Sequence, residues 1–365
     1  MTFDRVAESV VALLILATVL YDLFQTVVLP RPAVRKMQLA RRLVGPMWRV
    51  WRWVSQRSSR IDRSEARLAA FAPIALLTLF GVWGMTLIVG YGMLINSLAD
   101  QFRPPPQDFA TAIYISASTL VPLAYGDFVP EVGPARLVIF AESATGVAIA
   151  ALAITLLFSL YESFRSREEL VVTLDAMAGA PPSGVQILET VAEHNMRAEL
   201  NNTFDEWRRW SAMVLESHLA YPLLIYFRSS HDNEAWVNSF GAVMDAAILV
   251  ISTIDDDSEG PAHLMFKVGN HLVEDMGWVF GAKSPTDPIV ERDEYNVAVD
   301  RLVKAGYRIK DREAGWKRFV ELRSNYAGTL NLIAHWLVIP QAQWIGDRSY
   351  LPHRTRARRR KRPSA

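Results

Sequence analysis

Three long apolar runs dominate the first 161 residues. Val10–Val28 is 19 residues with one charge, Asp22; Leu68–Leu98 is 31 with none; Leu137–Tyr161 is 25 with one, Glu142. About 20 apolar residues in helix cross a bilayer core, so each run predicts a membrane span. Between the second and third runs lies a shorter apolar stretch, Phe109–Leu120. As a helix it would be about 18 Å long, roughly half a membrane. The irregular piece "STLVPLAYGDFVP", Ser118–Pro130, overlaps its end. Irregular backbone survives at membrane depth only where it is buried in protein or lines water. A half-length helix followed by such chain therefore predicts a re-entrant loop.

After Tyr161 the pattern changes to amphipathic helices of period 3.6. Helices are expected around 185–196, 204–223, 236–251, 264–279, 290–303 and 316–337, separated by "AGAPPSG", "RSSHDNE", "DDDSEGP" and "GAKSPTDP". Alternating strand patterns with Gly-rich turns are missing, which excludes a dinucleotide-binding unit. The expected fold class is an all-α membrane protein. It has three transmembrane helices with one re-entrant pore loop, plus a cytoplasmic α-helical domain. The divisions read as an N-terminal span over 1–30, a linker over 31–67, a pore module over 68–162, a helical domain over 163–350 and a tail over 351–365.

Charge adds orientation. The net charge of +1 conceals a strong asymmetry: residues 31–67 carry eleven Lys or Arg against two acids, residues 164–350 carry 18 basic against 27 acidic, and the tail after 350 carries seven basic and no acidic. Basic flanks stay in the cytoplasm, so the linker is inside, the N-terminus outside and the helical domain inside. This implies a multi-pass protein of the plasma membrane, the inner membrane in a bacterium. The segment before the first run, "MTFDRVAES", is not basic and no small-residue cleavage pattern follows the run, so an anchor is favoured over a signal peptide. In the linker, Val44, Met47, Trp48, Trp51 and Val54 share one helical face with Arg49 and Arg52 off it. Two readings stay open, a helix in the lipid headgroup zone and a helix docked on protein. The basic linker and tail could both contact anionic lipid; nucleic acid is the poorer partner for a membrane-anchored tail.

Candidate chemistry is sparse. The chain has no Cys, which removes disulfides, thiol catalysis and Cys-ligated metals. Asp255, Asp257 and Glu259 fall at places one, three and five of a Ca²⁺ loop, but Phe266 stands where a bidentate Glu is wanted. His218, His231, Asp232 and Glu234 lack tight ligand spacing. With no nucleophile elbow or phosphate loop, no enzyme activity, metal or cofactor is expected. Asp22 and Glu142 are functional candidates because ionisable residues inside spans are costly. Asp22 either reaches the inner headgroups or senses; Glu142 reads first as a brace behind the loop.

Residues 68–161 resemble the two-helix pore module of the potassium channel superfamily. Its filter T-x-x-T-V-G-Y-G-D is similar to Thr119-Leu120-Val121-Pro122-Leu123-Ala124-Tyr125-Gly126-Asp127, where Thr119, Tyr125, Gly126 and Asp127 match. Glu142 and Gly146 in "AESATG" also match, the glycine as a gating hinge and the glutamate as filter support. The resemblance implies a homotetramer conducting a monovalent cation, K⁺ in the first place. Pro122 stands where the family has a Thr, Leu123 replaces a Val, and Ala124 stands where it has a Gly, so K⁺ selectivity is not carried over with the resemblance. Asp127 and Glu131 at the outer mouth favour a cation pore. A second reading is a non-conducting membrane receptor or scaffold that keeps the pore fold.

Overall fold

The computed structural model describes residues 3–29, 39–57, 61–123, 125–229, 235–280 and 290–339. The chain divides into two units, residues 1–162 with 220–224, and residues 163–219 with 225–365. Among the described residues, three helices are long and apolar enough to cross a membrane.

In the first unit, α1 (Phe3–Leu23) ends in a π-helical turn over Phe24–Val28, and α2 (Leu39–Gln56) and α3 (Ile61–Ser97) follow. α1 presents Ala12, Leu16, Val19 and Leu23, spaced four, three and four apart, to Leu79, Trp83, Leu87 and Tyr91 on one stripe of α3. The two helices run antiparallel: Asn96 of α3 donates to Glu8 of α1 at 2.9 Å, and Trp83 Nε1 donates to Asp22 Oδ2 at 2.8 Å. Gly90 lets Leu16 approach, since a Cβ there would stand 2.8 Å from the leucine side chain.

Asp22 does not extend outward. It is buried, and its second oxygen accepts the backbone N–H of Leu39 at 2.7 Å, the first residue of α2. The unpaired N–H groups of a helix N-terminus favour negative charge, so Asp22 fastens α1, α2 and α3 together. α2 is docked on protein through Val44 and Trp48, both buried, with Trp48 in edge contact with Phe71 and Trp51 Nε1 donating to the Arg67 carbonyl at 2.8 Å. The single apolar face expected for this helix is a correction: Val54 is exposed, with Val50 and Trp53 beside it.

After α3, β1 (Phe102–Arg103), α4 (Phe109–Leu120), β2 (Val129–Pro130) and α5 (Gly133–Ala178) complete the pore region. The bounds of α4 are those of the short apolar run. α5 extends well past the apolar run at its C-terminal end.

The second unit is mainly helical in its described part, with one antiparallel bridge between Ile254 and Ile309. α6 (Gly184–Glu193), α7 (Arg197–Ala220), α8 (Trp236–Ser252), α9 (Glu259–Phe280), α10 (Arg292–Lys304), α11 (Arg312–Arg323) and α12 (Ala327–Trp336) follow the end of α5. α8 is mostly apolar and buried along nearly its whole length, as a helix enclosed by others must be. Gly184 of α6 approaches its backbone so closely that a Cβ would meet Ala246 N at 2.6 Å. Trp207, Trp210 and Trp236 are buried in this core, as helically spaced tryptophans usually are. One boundary is corrected: the helix expected over 316–337 is two helices. Ser324 Oγ donates to the Val320 carbonyl at 2.7 Å and Asn325 Nδ2 to the Glu321 carbonyl at 3.2 Å. These local bonds accompany the turn at the end of α11.

Candidate pore loop and its support

α4 begins at Asp108, whose Oδ1 accepts both the backbone N–H and the hydroxyl of Thr111 at 2.7 Å. These two bonds hold the Asp108 carboxyl below its usual range. The chain then turns back. Phe102 pairs with Pro130 and Arg103 with Val129 in an antiparallel ribbon, and Glu131 N donates to the Gln101 carbonyl at 2.8 Å. The segment therefore starts and finishes at one place, which is the geometry of a re-entrant loop.

Four contacts fix α4 between the long helices. Ile113 packs on Gly92 of α3, where a Cβ would stand 2.6 Å from its side chain. Ser116 Oγ lies 2.9 Å from the Ile88 carbonyl of α3 and is hydrogen-bonded to Glu142 Oε1 of α5. The Leu120 carbonyl lies on Gly146 of α5, and a Cβ there would overlap its oxygen and sit 2.9 Å from its carbon. Residue order along these contacts makes α4 antiparallel to α3 and parallel to α5. The contacts on α5 are one helical turn apart on both partners, 116 with 142 and 120 with 146.

The expected filter residues lie just beyond. Thr119 Oγ1 donates back to the Ile115 carbonyl at 2.8 Å, and Leu120 is the last residue of α4. Val121 N donates to the Ala117 carbonyl at 3.2 Å and Leu123 N to the Ser118 carbonyl at 2.8 Å, so the turn widens from a four-residue to a five-residue spacing as the chain leaves the helix. Pro122 has φ +22°, far from the −65° that its ring prefers. Gly126 has φ +74°, a conformation that a glycine adopts without Cβ strain. Val121, Leu123, Tyr125 and Asp127 are exposed on the single chain. Ala124 lies outside the described residues. The hydroxyl of Tyr114, on the outer part of α4, lies beside Asp127. Glu131 pairs with Arg103 at 2.9 Å, which offsets its charge at the mouth.

Glu142 has no exposed surface, and its Oε2 has no hydrogen-bond partner among the described residues. Gly146 lies within unbroken α-helix. Its most evident local role is the close approach of Leu120, and the hinge remains an expectation. Sequence reasoning did not find Ser116, Tyr114 or the Arg103–Glu131 pair. The one available signal for the first is that α4 carries hydroxyl residues, Thr111, Ser116, Ser118 and Thr119, among its apolar positions.

The other candidates hold no ligand set. Asp255 faces Arg308 at 3.8 Å, Asp256 faces Arg197 at 3.0 Å and Glu259 faces Lys310 at 2.9 Å, and no acidic or histidine cluster suited to a metal occurs among the described residues. His218 is buried, with Nδ1 2.9 Å from the Val214 carbonyl and Nε2 3.4 Å from Arg167 Nη1. Arginine only donates, so Nε2 accepts and Nδ1 carries the hydrogen. His231, Asp232 and Glu234, like the tail over 351–365, lie outside the described residues. A shallow cleft between α8, α11 and α12 is lined by Asn238, Asp245, Arg323 and Asn331. Its charges satisfy each other: Arg323 Nε donates to Asp245 Oδ1 at 2.9 Å and Nη2 to Oδ2 at 3.2 Å, and the Tyr326 hydroxyl also donates to Asp245.

Residues 75–163 match the model of a family described as Ion channel, a two-span potassium channel-like module. That segment runs from the middle of α3 through the loop to just past the apolar part of α5. A search of curated proteins and a search of solved structures returned no match. The match and the apolar helices make this a membrane protein and support an ion-channel function.

Proposed function

We propose that four copies of this chain assemble around their re-entrant segments into a pore for monovalent cations, K⁺ being the first candidate. The observation that carries this reading is the tied segment from Phe102 to Pro130. It descends as α4, turns at Pro122 and returns beside its start, leaving Leu123, Tyr125 and Asp127 uncovered on the single chain. One chain contributes one such segment, and four are needed to close a ring with carbonyls facing a common axis. The C-terminal end of α4 carries partial negative charge, which favours a cation beyond it.

The filter residues in this reading are Thr119 to Asp127. Pro122 offers its carbonyl but no hydroxyl, so weak preference for K⁺ over Na⁺ is the expected behaviour. Gly146 is the candidate hinge of α5. The N-terminus lies outside and the helical domain in the cytoplasm, from the basic 31–67 linker. α2 then lies at the cytoplasmic surface with Val50, Trp53 and Val54 outward and Arg57 stacked 3.5 Å over Trp53. That mixed face suits anionic lipid headgroups.

Recording from purified protein in planar bilayers tests the proposal. Expected are unitary cation currents with a modest K⁺ preference that rises in the double variant Pro122→Thr with Ala124→Gly. A parent that already excludes Na⁺ strongly overturns the filter reading, and a stable monomer by mass measurement in lipid overturns the pore. Pro122 in place of a Thr and Ala124 in place of a Gly favour one second reading, a receptor or scaffold that keeps the fold without conducting. A stable tetramer with no current in any gradient supports it.

A further inference from the structure

The polar contact between the loop helix and the last span holds information about a proton. Ser116 Oγ meets two acceptors at once, the Ile88 carbonyl of α3 and the Glu142 carboxyl of α5. A serine hydroxyl has one hydrogen, and a helix carbonyl can only accept. Donation to an ionised Glu142 would leave the Ser116 oxygen and the Ile88 oxygen 2.9 Å apart with no hydrogen between them. It would also leave a carboxylate with no exposed surface, no ion pair among the described residues and an unpartnered Oε2. Burying an unpaired charge is far costlier than burying a neutral polar group. Donation by a protonated carboxyl removes both difficulties: Glu142 gives its hydrogen to Ser116, and Ser116 gives its own to Ile88.

We propose that Glu142 is uncharged and donates to Ser116, so that one directed chain of hydrogen bonds, Glu142 to Ser116 to the Ile88 carbonyl, ties α5, α4 and α3. Glu142 is thereby a positioning residue for the loop, acting through Ser116 one turn before α4 ends at Leu120. The contact of Leu120 with Gly146, one turn further on both helices, fixes depth by shape. The hydrogen-bond chain fixes the rotation of α4 about its own axis, because the Ser116 hydroxyl lies on one face of that helix while those of Ser118 and Thr119 turn back to the Ile115 carbonyl. The link to ion preference rests on the pore reading above; the protonation state does not.

Two measurements on the full chain in lipid test this. The first is the infrared difference between the parent and Glu142→Gln at neutral pH. The carbonyl band of a protonated carboxyl is expected in the parent and lost in the variant. Carboxylate bands lost in its place overturn the proposal, whether or not the protein conducts. The second uses conductance. The amide of Glu142→Gln also donates to Ser116, so its K⁺/Na⁺ reversal potential and open probability should match the parent. Glu142→Ala and Ser116→Ala should both shift the reversal potential, and their combination should shift it no further than either alone. Thermal unfolding of each variant in detergent separates loss of the fold from loss of position. A Gln variant as damaged as the Ala variant, in folded protein, shows that the charge is required and overturns the proposal. A parent that passes no current removes the pore reading and leaves the infrared result to decide this one.

Discussion

The α-carbon of Gly146 rests on the carbonyl of Leu120, the residue that ends the half-length helix. No side chain fits between them. Within the last span this glycine is therefore a seat for the loop, whatever bending it also permits.

Gly146→Ala is consequently not a mild change. A methyl group there must displace the Leu120 backbone or separate α4 from α5, and overpacking of this kind typically costs about 1–3 kcal/mol. Altered ion preference together with a lower open probability is expected in bilayer recordings. Lower open probability with unaltered preference would favour a hinge and count against the seat.

Asp22 should behave as a structural acceptor. In Asp22→Ala the Trp83 indole N–H and the first N–H of α2 both lose their acceptor. A buried donor left unsatisfied costs about 1–3 kcal/mol. The melting temperature of the purified protein should fall, and amide exchange at Leu39 should accelerate. Unchanged exchange there would remove the tie between α1 and α2.

The helical domain should contain an acid-sensitive element. Burial, reinforced by the adjacent Arg167 guanidinium, pushes His218 down to about 3 from an ordinary 6.5. The unfolded chain then binds a proton below about 6.5 that the folded chain refuses until about 3. The contribution of His218 is full above that window and is lost progressively as pH falls through it. His218→Gln should flatten the fall of the urea midpoint of the full chain between pH 6.5 and 3. An equally steep fall in the variant would assign the acid sensitivity to other groups.

The pair Asp245–Arg323 gives a contrast of another kind. Asp245→Asn leaves a buried guanidinium with a weaker partner, and breaking a buried pair on one side costs about 3–5 kcal/mol. Replacing both, Asp245→Leu with Arg323→Met, should recover much of that loss in chemical unfolding. A double variant as unstable as the single one would show that the Tyr326 hydroxyl, which also donates to Asp245, dominates the site.

Much of this architecture was legible along the chain. The three spans and the bounds of α4 follow from the apolar runs, although α1, α3 and α5 each reach beyond theirs, and the Trp-rich helices of the domain follow from period. What escaped was pairwise. That Ser116 answers Glu142, that Arg103 offsets Glu131, and that Asp22 turns inward to α2 depend on which faces meet, and periodicity is silent on that. The split between α11 and α12 escaped because Ser324 and Asn325 are tolerated within helices, and the bond of Ser324 to the Val320 carbonyl is one that Ser211 makes inside the unbroken α7. The outward face of α2 escaped because Val54 has the spacing of a buried residue.

The two-residue ribbon of Phe102–Arg103 with Val129–Pro130 makes the loop a closed contour of fixed perimeter. Chain inserted into residues 104–107 can bulge into solvent at the rim and leave the deep part undisturbed. Chain inserted after Leu120 has no such outlet, because Leu120 is seated and Val129 is tied. Tolerance to insertion should therefore drop abruptly across α4, a profile that deep insertional scanning can map without any knowledge of the permeant ion.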